Sequence, residues 1–217
     1  MRKENRKFSA SDYNEYRNDY TQSWQAIDET LYRLCRDHPH HSERSWVNAK
    51  ILIIGRTYAT GIERKVPTTG TQGSSISQVA NFFFTRREEL DLWFARLTKV
   101  SEPLTTSNVR EILTVRGSIL ELLTEITRNR QSARSFVSKY LHFHNPAVPI
   151  YDSIASACLR SLIPLRAIRD FQIPPAEHAD SEYADYVRRF TNLYQYVAAQ
   201  GLPVTVRALD SYLIWNE

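Results

Sequence analysis

The sequence predicts an all-α protein, and three observations support this fold class. Apolar residues recur at three- and four-residue steps along most of the chain, which is the spacing of one helix face. No series of alternating apolar and polar residues is present, as half-buried strands would require. Prolines and runs of turn-forming residues separate the periodic segments. We therefore expect a multi-helix globular fold.

The periodic segments give the expected helices in chain order. They cover residues 11–36, 46–64, 76–84, 86–99, 107–127, 133–143, 153–163 and 183–197, with a short final helix around 209–215. We expect residues 1–217 to form a single domain. If this domain has two lobes, the loop at residues 66–75 (VPTTGTQGSS) would lie near their junction, because it is rich in residues that favour turns.

In the first half of the chain, Ser11 or Asp12 is placed to cap the first helix, and Pro39 follows its end. The second segment allows two interpretations, since its apolar run at residues 47–54 also suits a buried strand. We prefer a helix because polar Asn48 and Lys50 interrupt that run and the helical stripe continues beyond it.

In the second half, the helix at 107–127 begins at Thr106 or Ser107 and has an acidic residue in an early turn. Pro146 and Pro149 predict an extended stretch. Asp152 then stands where a capping residue for the next helix is expected.

Composition excludes several classes of protein. No run reaches the ~20 apolar residues of a membrane span, and the first residues lack the apolar core of a signal peptide, so we expect a cytoplasmic protein without a membrane partner. Two cysteines are too few for a disulfide framework or a four-thiolate metal site. Glycine-rich phosphate loops are absent, which disfavours ordinary nucleotide-binding enzymes.

The positive charge is carried mostly by arginine. Of 28 basic residues only six are lysines, and Lys139 is the single one after position 99. The net charge is +4 and the isoelectric point about 9.1. Arginine suits forked phosphate contacts, so this balance is typical of nucleic-acid binding, although a merely solvated basic surface has the same composition.

The segment from Arg128 to Ala157 (RNRQSARSFVSKYLHFHNPAVPIYDSIASA) carries the clearest chemical signal. A basic turn precedes a helix, whose free N–H groups and positive end favour a phosphate. We expect Arg128, Arg130 and Arg134 to hold the DNA backbone. Asp152 follows an extended turn, where a fixed carboxylate could stabilise positive charge on a deoxyribose or position a water.

This segment resembles the helix-hairpin-helix DNA glycosylase superfamily (the HhH-GPD proteins), in which a hairpin grips DNA and a V-P-[VI]-D-type turn carries the catalytic aspartate. The corresponding turn here is Val148-Pro-Ile-Tyr-Asp152. In bifunctional members a lysine before this turn forms a Schiff base. The ungapped equivalent position holds Arg134, which cannot act as that amine, so the nearest candidate is Lys139.

The resemblance implies an enzyme that flips a damaged or modified base out of double-stranded DNA and cleaves its N-glycosidic bond. It implies Asp152 and Lys139 as catalytic residues, no metal or organic cofactor, and a monomer, with lyase activity if Lys139 attacks the sugar. Both base-excision repair and defence against phage DNA with modified bases fit this activity. Each residue also has a structural alternative, since Asp152 could serve only as a helix cap and Lys139 only as a solvated lysine.

The base pocket is expected to contain rings and polar groups near this segment. Aromatic and imidazole rings could stack on the base, and Arg56 places a charge in an otherwise apolar helix. The candidates are Arg56, Tyr58, Tyr140, His142, His144 and Tyr151. Most aromatic residues on helices belong to the core, which is the alternative for each ring.

Two other functions stay open. The first is a helical ribonuclease of the HEPN kind, whose R-x4-6-H pattern matches Arg36-Asp-His-Pro-His-His41, although Pro39 favours a turn there. The second is a non-catalytic DNA-binding or protein-interaction module, which needs only the basic hairpin and no chemistry. The histidines at positions 38, 40 and 41 also suggest a metal site, but without a partnered carboxylate cluster a surface turn is the preferred interpretation.

Overall fold

The computed structural model describes residues 8–19, 21–67, 74–127, 133–164, 168, 172–173 and 175–216. These residues form an all-helical structure, which confirms the predicted fold class. The described part contains ten α-helices: α1 (Ala10–Asp19), α2 (Thr21–Asp37), α3 (Arg44–Thr57), α4 (Ser75–Thr85), α5 (Arg87–Leu97), α6 (Thr106–Leu122), α7 (Arg134–His144), α8 (Ser153–Leu162), α9 (Ser181–Ala199) and α10 (Val206–Trp215). Among these described helices, none is both long and apolar enough to cross a membrane.

Most expected helices are confirmed, and two differ in extent. The first expected helix is described as α1 and α2, which lie on either side of residue 20. The segment at 47–54 is helical as preferred, but α3 ends at Thr57 instead of continuing to residue 64. Ala59 and Gly61 adopt positive φ angles of 48° and 66°, which no continuing α-helix allows. A short 3-10 turn at Ile62–Arg64 follows.

Side chains of the predicted type cap several helices. Thr105, one residue before the expected cap, accepts a hydrogen bond from the amide of Asn108 and begins α6. Asp152 caps α8 as expected, since its Oδ1 accepts from the amide of Ile154 at 2.9 Å. Asp180 does the same for α9. Each cap satisfies an N–H group that the first helical turn leaves without a partner.

One cluster of buried apolar side chains has members from all ten helices, and α7 lies within it. Helix α7 contacts α2, α3 and α6, and its residues 136–143 are buried without interruption. A helix buried on every side is normally apolar throughout, yet α7 contains Lys139 and His142 in this stretch. Buried charged and polar groups need partners, so Lys139 and His142 each require a polar group close by.

Candidate active site around Lys139 and Asp152

Lys139 and Asp152 form an ion pair, although they were predicted separately and lie 13 residues apart. The Lys139 Nζ atom is 3.1 Å from Oδ2 of Asp152 and also donates to the carbonyl oxygen of Tyr58 at 2.9 Å. The other Asp152 oxygen accepts the capping bond from Ile154 at the start of α8. The carboxylate therefore lies between an amine and the positive end of a helix.

The pair lies at the edge of the core, where it is sheltered but accessible. The Lys139 side chain is 7% exposed and that of Asp152 is 24% exposed. Burial disfavours a charged amine unless polar partners are close, and Asp152 and the Tyr58 carbonyl are such partners.

The turn between α7 and α8 is fixed to its neighbours by hydrogen bonds that place Asp152 over α7. The amide of Tyr151 donates to Oγ of Ser138 at 2.9 Å, and Ser138 directly precedes Lys139 in α7. The hydroxyl of Tyr183 donates to the carbonyl of Pro149 at 2.7 Å. Because Pro149 lacks an N–H group, the extended backbone here depends on such contacts from side chains.

His142 lies one turn after Lys139 on α7 and also holds this turn. Its Nδ1 is 2.8 Å from the carbonyl oxygen of Val148, and its Nε2 contacts the hydroxyl of Tyr32. Burial, with a smaller contribution from the charge of Arg207, lowers the pKa of His142 to about 3. A neutral ring that donates through Nδ1 must accept through Nε2, so the Tyr32 hydroxyl is the donor in this contact. His142 therefore positions the turn.

A second layer of charge lies behind the pair. Arg207 donates from Nε to Oδ2 of Asp28 at 2.6 Å and from Nη1 to Oδ2 of Asp210 at 2.9 Å. Asp28 also accepts a hydrogen bond from the hydroxyl of Tyr58, whose carbonyl binds Lys139. The catalytic candidates and this charged layer thus form one connected network.

Asp210 is the most unusual group in that layer. Its side chain is fully buried, and burial raises its pKa to about 7 against the opposing charges of Arg207 and Lys139. Within the described residues, its Oδ1 and the buried hydroxyl of Tyr186 have no hydrogen-bond partner. Burial raises the pKa of Tyr186 well above its usual value, and the charges of Asp210 and Asp152 add to this rise. A buried carboxyl of this kind is a common feature of functional sites.

Tyr140 and His144 do not fit the base pocket predicted for them. They lie roughly 100° and 140° around α7 from Lys139, whereas His142 lies about 60° away in the other direction. Tyr140 is buried and its hydroxyl is 3.0 Å from Nε2 of His41, whose Nδ1 contacts Asp91 at 2.6 Å. The ring of His144 stacks beside His41 in the same cluster. Both residues therefore belong to the core on a different face of α7.

Arg134 does not fit its predicted role as a phosphate contact. Its Nε and Nη2 donate to the two oxygens of Asp180 at 2.5 and 3.0 Å, and its Nη1 is 2.8 Å from Glu182. The buried Arg116 shares the same carboxylate at 3.3 Å. The guanidinium of Arg134 is thus occupied by internal carboxylates. Its Cζ also lies 5.4 Å from the ring centre of Tyr151.

The remaining predicted residues fall in three places. Tyr151 is 8% exposed, and its hydroxyl donates to Glu182 on the side of α9, away from Asp152. Arg56 is on the surface, with its side chain 65% exposed and paired to Glu63. Tyr58 lies within the network beside Lys139. Arg128 and Arg130, with the hairpin that contains them, lie outside the described residues.

The residues of the HEPN-like pattern do not converge. Arg36 has an exposed side chain near Asp37, at the end of α2. His41 is fully buried and bound to Asp91 and Tyr140. A ribonuclease site of that kind needs both groups on one accessible surface, so this geometry does not favour it.

Asp28, Arg207 and Asp210 are site residues that sequence reasoning missed. One signal was available, since Asp210 interrupts the strongly apolar run of α10. Its partner Arg207 also binds Asp28, which is far away in sequence in α2, so no local pattern could link the three residues.

Among the described side chains, no group of three or more His, Cys, Asp or Glu residues is arranged to hold a metal ion. Comparisons of the chain with protein-family models, curated proteins and solved structures found no match. The geometry around Lys139 and Asp152 is therefore the basis for assigning a function.

Proposed function

We propose that the protein is a DNA glycosylase that removes a damaged or otherwise modified base from double-stranded DNA. The observation that carries this proposal is the ion pair between Lys139 and Asp152, in which a sheltered amine touches a carboxylate held at a helix N-terminus. An amine nucleophile with an adjacent carboxylate is a combination suited to attack on a deoxyribose.

The reaction begins with proton transfer across the 3.1 Å contact from Lys139 Nζ to Oδ2 of Asp152. The neutral amine attacks C1′ of the flipped nucleotide, a bond forms between Nζ and C1′, and the bond from C1′ to the base breaks. The base leaves with the electron pair and takes the proton that Asp152 received, which restores the Asp152 carboxylate. The sugar ring then opens to an imine, which water hydrolyses to an abasic site and free Lys139.

The ionised form of Asp152 has a further part in this sequence. As the bond to the base breaks, positive charge develops on the sugar, and a carboxylate beside it stabilises that charge. The hydrogen bond from Ile154 keeps the carboxylate in place, so little reorganisation is needed at the transition state. The same activity serves either repair of damaged DNA or defence against phage DNA with modified bases.

The decisive experiment incubates the protein with duplexes that contain single modified bases and detects the released base by mass spectrometry. Borohydride added during the reaction reduces the imine and links the protein to DNA. We expect base release and a linked adduct from the wild type, and neither from Lys139→Met. Lys99→Ala, which removes an exposed lysine, is the matched control and retains both.

Asp152→Asn tests the carboxylate separately, because asparagine keeps the helix cap but not the charge. We expect this variant to bind DNA normally and to lose base release. Base release without any adduct would show that water is the nucleophile. Binding without release from any duplex in the panel would refute the glycosylase proposal in favour of a passive DNA-binding module, and cleavage of RNA would favour a ribonuclease.

A further inference from the structure

A cleft of about 340 Å³ opens between α1, α2 and α10. Tyr16 and Tyr32 contribute aromatic rings to its lining, and Ala208 contributes a small side chain. Asp28 and Arg207 supply charge at the same place. Ligand pockets typically combine an apolar lining with a few convergent polar groups, and this cleft has that composition.

The charged groups of the cleft retain hydrogen-bonding capacity toward a ligand. Arg207 uses Nε and Nη1 for Asp28 and Asp210, while its Nη2 makes no hydrogen bond within the described part of the chain. Asp28 accepts one bond from Arg207 and one from Tyr58, and a carboxylate can accept about four. The cleft can therefore offer one donor and one acceptor to a planar ligand.

Two contacts connect this cleft to the Lys139–Asp152 pair. Tyr58 donates its hydroxyl to Asp28 in the cleft and accepts Lys139 at its carbonyl. Tyr32 lines the cleft and contacts His142, which lies one turn after Lys139 on α7. Tyr58 therefore links the cleft directly to Lys139, and Tyr32 links it to the same helix through His142.

We propose that the cleft receives the flipped base, with Tyr16 and Tyr32 against its faces and with Arg207 and Asp28 on its polar edge. This inference rests on the proposed glycosylase function. It assigns the substrate a planar heterocycle that presents a hydrogen-bond acceptor to Arg207 and a neighbouring N–H donor to Asp28. A base methylated on that edge would lose one of these two bonds.

The test fills the cleft without changing the catalytic pair. Ala208→Trp places a large side chain in the cleft, and Ala95→Trp makes the same change on an exposed site of α5 as the matched control. Two duplexes are compared, one with the modified base and one with a preformed abasic site. The abasic site has no base to bind, so its borohydride adduct depends on Lys139 and not on the cleft.

We expect Ala208→Trp to lower base release by about tenfold or more while the abasic duplex is still trapped as in the wild type. Ala95→Trp retains both activities. Ala208→Leu, a smaller change that preserves helix propensity, should give an intermediate loss and serves if the tryptophan variant does not fold.

Unchanged base release in both Ala208 variants would overturn the cleft assignment. An equal loss of release and of abasic-site trapping would also overturn it, because the substitution would then act on the catalytic pair. A wild-type protein that neither releases a base nor traps the abasic duplex refutes the glycosylase proposal itself, which distinguishes the two failures.

Discussion

Replacing Arg134 with methionine tests whether this arginine holds the fold together or holds DNA. The structure predicts a loss of stability of about 2–3 kcal/mol, because two charge-assisted hydrogen bonds to Asp180 disappear while Arg116 still neutralises that carboxylate. The side chains of Arg134, Asp180 and Arg116 are 12%, 7% and 1% exposed, so water cannot fully replace the lost bonds. Methionine retains most of the packing of the arginine stem.

A companion variant sets the scale of this cluster. Asp180→Asn keeps the cap of α9 but leaves Arg116 and Arg134 without their shared carboxylate, so we expect a larger loss of about 3–5 kcal/mol. Arg33→Met, an exposed arginine, is the matched control and should change stability by less than about 0.5 kcal/mol. The measurement is the free energy of unfolding from urea titrations.

DNA binding completes the test. Each phosphate contact contributes about 0.9 to the slope of log K against log salt concentration. We expect the slope of Arg134→Met to equal that of the wild type, measured by fluorescence anisotropy under conditions where both are folded. An unchanged free energy of unfolding together with a slope reduced by about 0.9 would refute this reasoning and restore the phosphate role expected from the sequence.

Three further substitutions test other parts of the structure. Gly117→Ala should lower the free energy of unfolding by about 1–3 kcal/mol, since its Cβ would lie 2.4 Å from the carbonyl oxygen of His178; a wild-type melting temperature would contradict this. Burial raises the pKa of Asp210 to about 7, so the folded state favours the protonated carboxyl. The free energy of unfolding therefore falls as pH rises from about 4 through 7 and this proton is lost. Asp210→Asn should therefore gain stability relative to wild type over that range in urea titrations, and a difference independent of pH would count against it. Asp91→Asn should lower the free energy of unfolding by about 1–3 kcal/mol, because it weakens the bond to buried His41. Equal unfolding midpoints for the variant and the wild type would contradict this.

The helices could be predicted from sequence because their signals are local. Periodic apolar residues identify most of them, and Asp152 identifies the start of α8 by its capping chemistry. The predicted end of α3 is wrong because apolar residues keep their helical spacing past Thr57, whereas the helical backbone conformation ends there. Ala59 takes a left-handed conformation, and the amides of Ala59 and Thr60 close the helix end on the carbonyls of Arg56 and Gly55; alanine at this position gives no sign of it in the sequence.

The site could be predicted only in part, for the same reason. The sequence suggests Lys139 and Asp152 one by one, through the resemblance of their segment to the DNA glycosylase superfamily and through the scarcity of lysine. Their contact depends on how Ser138 holds that turn against α7, which is a matter of packing. The bond between Asp28 and Arg207 spans 179 positions, so only the folded chain brings the two together.

The arginine-rich composition therefore has to be interpreted together with burial. Arg116, Arg134, Arg189 and Arg207 are all mostly buried and each is bound to an internal carboxylate. Arginine suits such pairs because its planar fork matches a carboxylate and its charge is weakly hydrated. A cation bound in this way contributes to the isoelectric point but not to a phosphate-binding surface. For this chain, the case for DNA rests less on its count of cations than on one amine, Lys139, held against Asp152 beside a cleft with room for a base.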